Sequence, residues 1–204
     1  MNDMQYNKVT PAIVDELIGI CGDRNVIFDN PEAMEAFSHD EVADHDYAHM
    51  PEVVVKPGSA EEISAVMKLA NRENVPVTPR GAGSGLSCGA VPTFGGILLS
   101  IERLNKILEV DPGNMTITVE SGVVTNHIND VLEEYGLFYA GYPMSLETCF
   151  IGGNVAENAG GGKAVKYGVT GRYVQGMEVV LPNGDIVEMG GKRVKDVTGY
   201  DLMS

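Results

Sequence analysis

The chain has 204 residues, 44% hydrophobic and 21% charged, the balance of a globular protein with enough apolar side chains for a buried core. Twenty-nine Asp and Glu stand against 14 Lys and Arg, a formal net charge of -15, which disfavours nonspecific contact with nucleic acid or anionic lipid and leaves any phosphate-bearing ligand to local features. Cys21, Cys88 and Cys149 are too far apart for a CxxC pair or a disulfide framework, and neither a secretory leader nor a membrane-length apolar run is present, so a reduced, cytoplasmic setting is expected.

Residues 10 to 21 read as a helix, with Thr10 as N-cap, Pro11 at the first helical position and Gly22 as terminator. From there to about Met50 the chain reads as acidic and irregular. PEVVVKP is then a short β-branched strand, and Ser59-Ala-Glu-Glu62 is a capping box opening a helix with Ile63, Val66, Met67 and Ala70 on one face. VPVTP, a glycine-rich loop and GGILLSI complete a β-α-β-loop-β unit with a small parallel sheet. Beyond it, ILEVD and MTITVE flank a Pro112-Gly113-Asn114 turn as a hairpin, a helix runs from about Thr125 to Tyr135, and Gly136 ends it. MEVVL and IVEMG form a second hairpin around Pro182-Asn183-Gly184-Asp185. The reading is α+β: a small β-α-β N-terminal subdomain and a larger subdomain of mixed or antiparallel strands.

Two stretches are depleted of charge. Residues 81 to 101 hold no charged side chain, where the composition would give about four, and residues 135 to 162 hold fewer than the roughly six expected. Both are rich in glycine, and Gly and Pro interruptions exclude a membrane reading. Exposed backbone N–H groups that can cradle a phosphate are the better account. The dinucleotide fingerprint GxGxxG is approached by Gly81, Gly83 and Leu86, but Leu86 stands in the third glycine's place and SCGAVP does not open a helix. A Walker A loop at Gly162-Lys163 fails because Glu157 replaces its first glycine and Ala164 its magnesium-binding hydroxyl.

VTPRGAGSGLSCGAV at 77 to 91, YPMSLETCFIGGNVAENAGG at 142 to 161 and KYGVTGRYVQGMEVVLPNGDIV at 166 to 187 together resemble the FAD-binding (PCMH-type) domain of the vanillyl-alcohol oxidase superfamily, in its glycolate oxidase and D-lactate dehydrogenase branch. The resemblance runs from about residue 35 to residue 204, with residues 1 to 34 as an N-terminal helical segment. It implies noncovalent FAD, because Ser84 stands where covalent members carry a histidine. It also implies that backbone groups of Arg80, Gly81, Ala82, Gly83, Ser84 and Gly85 hold the pyrophosphate. Pro143, Ser145, Thr148, Gly152, Gly153 and Asn154 would line the other side of the dinucleotide, Asn158, Gly160 and Gly161 would continue it, and Ile186 or Val187 would touch the cofactor near the last hairpin.

His39, Asp40, Glu41, Asp44, His45, Asp46 and His49 lie within eleven residues, but no helical frame surrounds them and the run reads as a solvated loop rather than a metal site. No residue qualifies as a general base, so no catalytic residue is assigned. The chain stops at KDVTGYDLMS, which the resemblance places inside the flavin domain, before the cap and the C-terminal catalytic segment; these 204 residues alone are expected to be inactive. The implied parent is a dehydrogenase of a small 2-hydroxy acid of the glycolate or lactate class. One alternative is a subunit handing electrons to an electron-transferring flavoprotein, and another is a catalytically inert FAD-binding fragment.

Overall fold

The structure is a computed structural model, and it describes residues 6–42, 45–141, 143–193, 199–200 and 203. It divides into two compact units: residues 1–103 with 180–186, and residues 104–179 with 187–204.

The first unit opens with α1 (Pro11–Cys21), whose N-cap Thr10 accepts from the Ile13 N–H and whose end is closed by Gly22 at φ +84°, as the sequence predicts. A two-residue strand, β1 (Val26–Ile27), and a five-residue helix, α2 (Pro31–Glu35), follow within the stretch expected to be irregular. Asn30 caps α2 by accepting from the Ala33 N–H, and Pro31 takes the first turn, so the start signals were present but the element is too short for a periodic pattern. Next come β2 (Val53–Val55), α3 (Ala60–Glu73), β3 (Val77–Arg80) and β4 (Ile97–Ser100). At the α3 capping box Ser59 accepts the Glu62 N–H, while the Glu62 carboxylate reaches the Gly58 N–H at 2.7 Å.

The sheet order is β1-β2-β4-β3, with β2 and β3 both parallel to β4 and β1 antiparallel to β2. Because side chains alternate across a strand, the central strands supply two cores. Val53, Val55, Ile97 and Leu99 pack with Ile13, Leu17, Cys21, Val66, Leu69 and Ala70 from α1 and α3, whereas Val54 and Leu98 pack with Met34 of α2, flanked by Ile27 and Phe37. The short α2 is therefore the cover of the second face of the sheet. On α3 the buried set is Ser64, Val66, Leu69 and Ala70, with Ile63 and Met67 half-buried; Ser64 is buried with its hydroxyl donating to the Gly184 carbonyl at 2.5 Å, 120 residues away.

The second unit contains the hairpin β5 (Ile107–Asp111) and β6 (Thr116–Val119), antiparallel, with a register shift between Ile107 and Glu109. Helix α4 (Thr125–Glu133) packs Ile128 and Leu132 with Val123, beside Ile107, Val110, Ile117 and Val119. Two short helices, α5 (Ile151–Ala156) and α6 (Ala164–Tyr167), lie in the glycine-rich region that the sequence reading left without regular structure. The last strands are those of the predicted hairpin, β7 (Gly176–Val180) and β8 (Ile186–Gly190). Among the described residues, no helix is long and apolar enough to cross a membrane.

Candidate cofactor site

In the first unit, β3 and β4 are parallel neighbours, so the chain must travel from the carboxyl end of one to the amino end of the other; residues 81–96 make that journey without a helix. The glycine-rich loop thus begins at the carboxyl edge of a parallel sheet, where α/β sheets commonly receive ligands. Its first residue, Arg80, is only 7% exposed. The guanidinium donates to the carbonyls of His39 at 2.7 Å, Ala36 at 3.0 Å and Ala90 at 3.4 Å, and it lies 5.8 Å from the Phe37 ring centroid. Burial pulls its pKa below the ordinary value and the Asp40 charge pushes it back up; a guanidinium so placed stays protonated.

The hydrogen bonding of this loop is sparse. Gly85 offers its carbonyl to the Glu41 N–H at 3.1 Å, and the Cys88 N–H is taken by the Asp40 carboxylate at 2.8 Å. Among the described residues, no protein acceptor meets the N–H groups of Gly81, Ala82, Gly83, Ser84, Gly85 and Leu86. Consecutive unpaired donors of this kind form an anion-binding surface, and they must otherwise be met by water. Gly83 has φ +74°, and a Cβ there would collide with the Arg80 guanidinium; Gly85 has neither a positive φ nor any atom within 4 Å of the Cβ it lacks. The smallness of Gly83 serves the loop itself. That of Gly85 serves no internal packing need, as expected where a ligand approaches backbone. On both counts the residues present fit a pyrophosphate.

Asp40 is where the solvated-loop reading fails. It is 6% exposed, and its second oxygen accepts the Val42 N–H at 3.0 Å, so it is a buried brace for the glycine loop rather than part of a hydrated face. The local Asx turn to Val42 is the one signal that sequence could have offered. Asp44 and the His45 side chain lie outside the described residues, and among those described no three His, Cys, Asp or Glu side chains are grouped to hold a metal.

The remaining expected contacts lie in the second unit, apart from Ile186. Tyr142 of the quoted segment is outside the described residues, and Pro143 is buried. The Ser145 carbonyl accepts from the Thr148 and Cys149 N–H groups, and the exposed Thr148 turns its hydroxyl back to the same carbonyl at 3.3 Å. Gly152 spends its N–H on the Ser121 carbonyl at 2.8 Å. Gly153, on α5, has nothing within 4 Å of its missing Cβ, like Gly85. Asn154 is 4% exposed, and its amide donates to the Thr125 hydroxyl at 2.5 Å, so its side chain is engaged with its own unit. Asn158, at φ +49°, accepts the Gly171 N–H at 2.9 Å. A Cβ on Gly160 would press on Val169, while the N–H groups of Gly160 and Gly161 meet no acceptor among the described residues. Ile186 and Val187 are consecutive on β8, the first exposed and the second half-buried. Their side chains point to opposite faces, so only one of them can turn toward a given ligand.

The profile of the FAD-binding domain family matches residues 51–190. The chain is 44% identical to the glycolate oxidase subunit GlcD of Bacillus subtilis (strain 168), an alignment covering 95% of this chain and 41% of that protein. It is 44% identical to a D-lactate dehydrogenase of Anaerostipes hadrus, covering 100% of this chain and 42% of that protein. Among solved structures, an alkyldihydroxyacetonephosphate synthase superposes with a TM-score of 0.80 at 24% identity, covering 91% of this chain and 35% of that one, a likeness of fold alone. The chain spans about two fifths of the length of the two curated relatives. With the glycine loop following β3 at the edge of its sheet and this match across residues 51–190, the chain belongs to the FAD-binding domain family.

Proposed function

We propose that these 204 residues hold the FAD of a flavoprotein dehydrogenase that oxidises a small 2-hydroxy acid of the glycolate or lactate class. The observation that carries the FAD site is the row of unpaired N–H groups from Gly81 to Leu86, in a chain whose net charge of -15 would otherwise repel a diphosphate. The substrate class is supported by the names of the two curated relatives. When bound, FAD supplies the hydride acceptor. The protein's part is placement: backbone donors from Arg80 to Gly85 grip the pyrophosphate. Titration with FAD, ADP and riboflavin tests the binding. FAD is expected to bind, ADP to compete with it, and riboflavin, which lacks the pyrophosphate, to bind far more weakly; riboflavin binding as tightly as FAD would refute the assignment. For the whole flavoprotein, anaerobic bleaching with D-lactate, L-lactate, glycolate and 2-hydroxyglutarate tests the class, and no bleaching by any of the four would reject it.

The FAD is held noncovalently. Ser84 carries a hydroxyl too weak a nucleophile for the attachment; of the two thiols that could form a thioether, Cys149 is 3% exposed with its thiol against the Thr125 hydroxyl at 3.4 Å, and Cys88, half-buried at the exit of the loop, is the one that acid precipitation tests. Acid precipitation is therefore expected to leave a colourless pellet and a yellow supernatant; yellow retained in the pellet would contradict this. A handover of electrons to an electron-transferring flavoprotein is favoured by one observation, that the Bacillus relative is named as a subunit. Co-purification of further flavin-bearing chains is the expected result, and isolation of the active protein as a single chain would reject it. A cytoplasmic setting is supported by three free thiols, two of them buried.

A further inference from the structure

The glycine loop is held at its entry, its middle and its exit, and the N–H groups between stay open. Its entry is held by the Arg80 side chain on the carbonyls of Ala36, His39 and Ala90, its middle by Glu41 N–H on the Gly85 carbonyl, and its exit by Asp40 on the Cys88 N–H. Every one of these contacts links the loop to residues 36–41 or to its own far end. A loop of ordinary chemistry would fold back on its own amides. Here, of residues 81–86, only the Gly85 carbonyl is engaged, and among the described residues the N–H groups of Gly81 to Leu86 meet no acceptor.

The charges are arranged to match. The Asp40 carboxylate is held by two backbone N–H groups, of Val42 and Cys88, while the Arg80 hydrogen bonds among the described residues go to carbonyls and not to a carboxylate. A buried cation, opposed by the Asp40 charge but joined to it by no hydrogen bond, consequently rests against Gly83, and in a low-dielectric setting its field acts on an anion held by the adjacent amides. We propose that Asp40 and the side chain of Arg80 are positioning residues for the diphosphate of the cofactor, Asp40 by pinning the exit of the loop at Cys88 and Arg80 by clamping its entry and supplying positive charge from within the protein. Neither touches the ligand. The inference rests on the assignment of Gly81 to Gly85 to the pyrophosphate.

Asp40→Asn keeps the size of the side chain, but the amide can accept only one of the two N–H groups and turns its own N–H toward the other. FAD affinity is expected to fall at least tenfold. For Arg80, lysine retains the charge and loses the three-way clamp, whereas glutamine loses the charge and keeps a donor; Arg80→Lys is expected to bind FAD at least threefold more tightly than Arg80→Gln. Amide hydrogen exchange on the unsubstituted apoprotein supplies a measurement independent of any variant's folding. The Cys88 amide should be protected, Gly81 to Leu86 should exchange rapidly, and FAD should slow the latter set. If FAD leaves Gly81 to Leu86 unchanged, the cofactor assignment itself falls. If FAD slows them but Cys88 exchanges as fast as Gly85, or folded Asp40→Asn binds FAD within twofold of the unsubstituted protein, the assignment stands and the role of Asp40 is overturned. Equal affinities of Arg80→Lys and Arg80→Gln would overturn the role of the buried charge.

Discussion

Replacing Gly83 by valine is expected to abolish FAD binding at micromolar cofactor and to destabilise the first unit by about 2–5 kcal/mol, the sum of two separate costs. Gly83 sits at φ +74°, in the left-handed region that a β-branched residue tolerates poorly. Its Cβ would also overlap the Arg80 guanidinium. That group cannot retreat without giving up its bonds to the Ala36, His39 and Ala90 carbonyls, so relief of the clash means a displaced loop. Gly85→Ala separates folding from binding. With ordinary φ and no atom within 4 Å of the new methyl, it should leave thermal unfolding unchanged and still weaken FAD, because the methyl occupies the ligand's approach. Thermal melts and quenching of flavin fluorescence measure the two effects. Unchanged FAD occupancy in Gly83→Val would show that the pyrophosphate lies elsewhere, and FAD affinity unaltered in Gly85→Ala would remove Gly85 from the site.

Thr125→Val should destabilise the second unit by about 2–4 kcal/mol, although the two side chains are nearly the same size. Thr125 is fully buried at the start of α4, and its hydroxyl accepts from the Asn154 amide at 2.5 Å, meets the Cys149 thiol at 3.4 Å and donates to the Cys149 carbonyl at 3.3 Å. Valine deletes this hub and leaves the 4%-exposed Asn154 with an amide donor facing a methyl group, a loss costing more than the net worth of an average hydrogen bond. Removing both partners, in Thr125→Val with Asn154→Leu, should recover much of the loss, since no orphaned donor remains. Denaturant unfolding of the four proteins of the cycle gives the coupling. Additive losses would mean that the hub does not act as a unit. FAD retained by the double variant would further assign the Asn154 side chain to the architecture of α5 alone.

Sequence by itself determined those elements whose causes lie within a few residues of one another. Thr10, Pro11 and Gly22 delimit α1, Ser59 and Glu62 start α3, and the Pro112-Gly113-Asn114 and Pro182-Asn183-Gly184-Asp185 turns set the two hairpins. The glycine loop was legible for the same reason: an absence of charge over residues 81–101 is a property of composition. Tertiary structure alone decided what depends on distant partners. The sequence does not announce that β4 enters between β2 and β3, that five residues at Pro31–Glu35 cover one face of the sheet, or that Ser64 is buried by a carbonyl 120 positions later. It misleads about Asp40, whose polarity suggests water yet which is claimed by the N–H groups of Val42 and Cys88, and it does not show that the Asn154 side chain meets the hydroxyl of Thr125. A polar side chain enters the interior only where the fold brings it a partner, and where that partner lies 29 or 48 residues away only the folded chain can supply it.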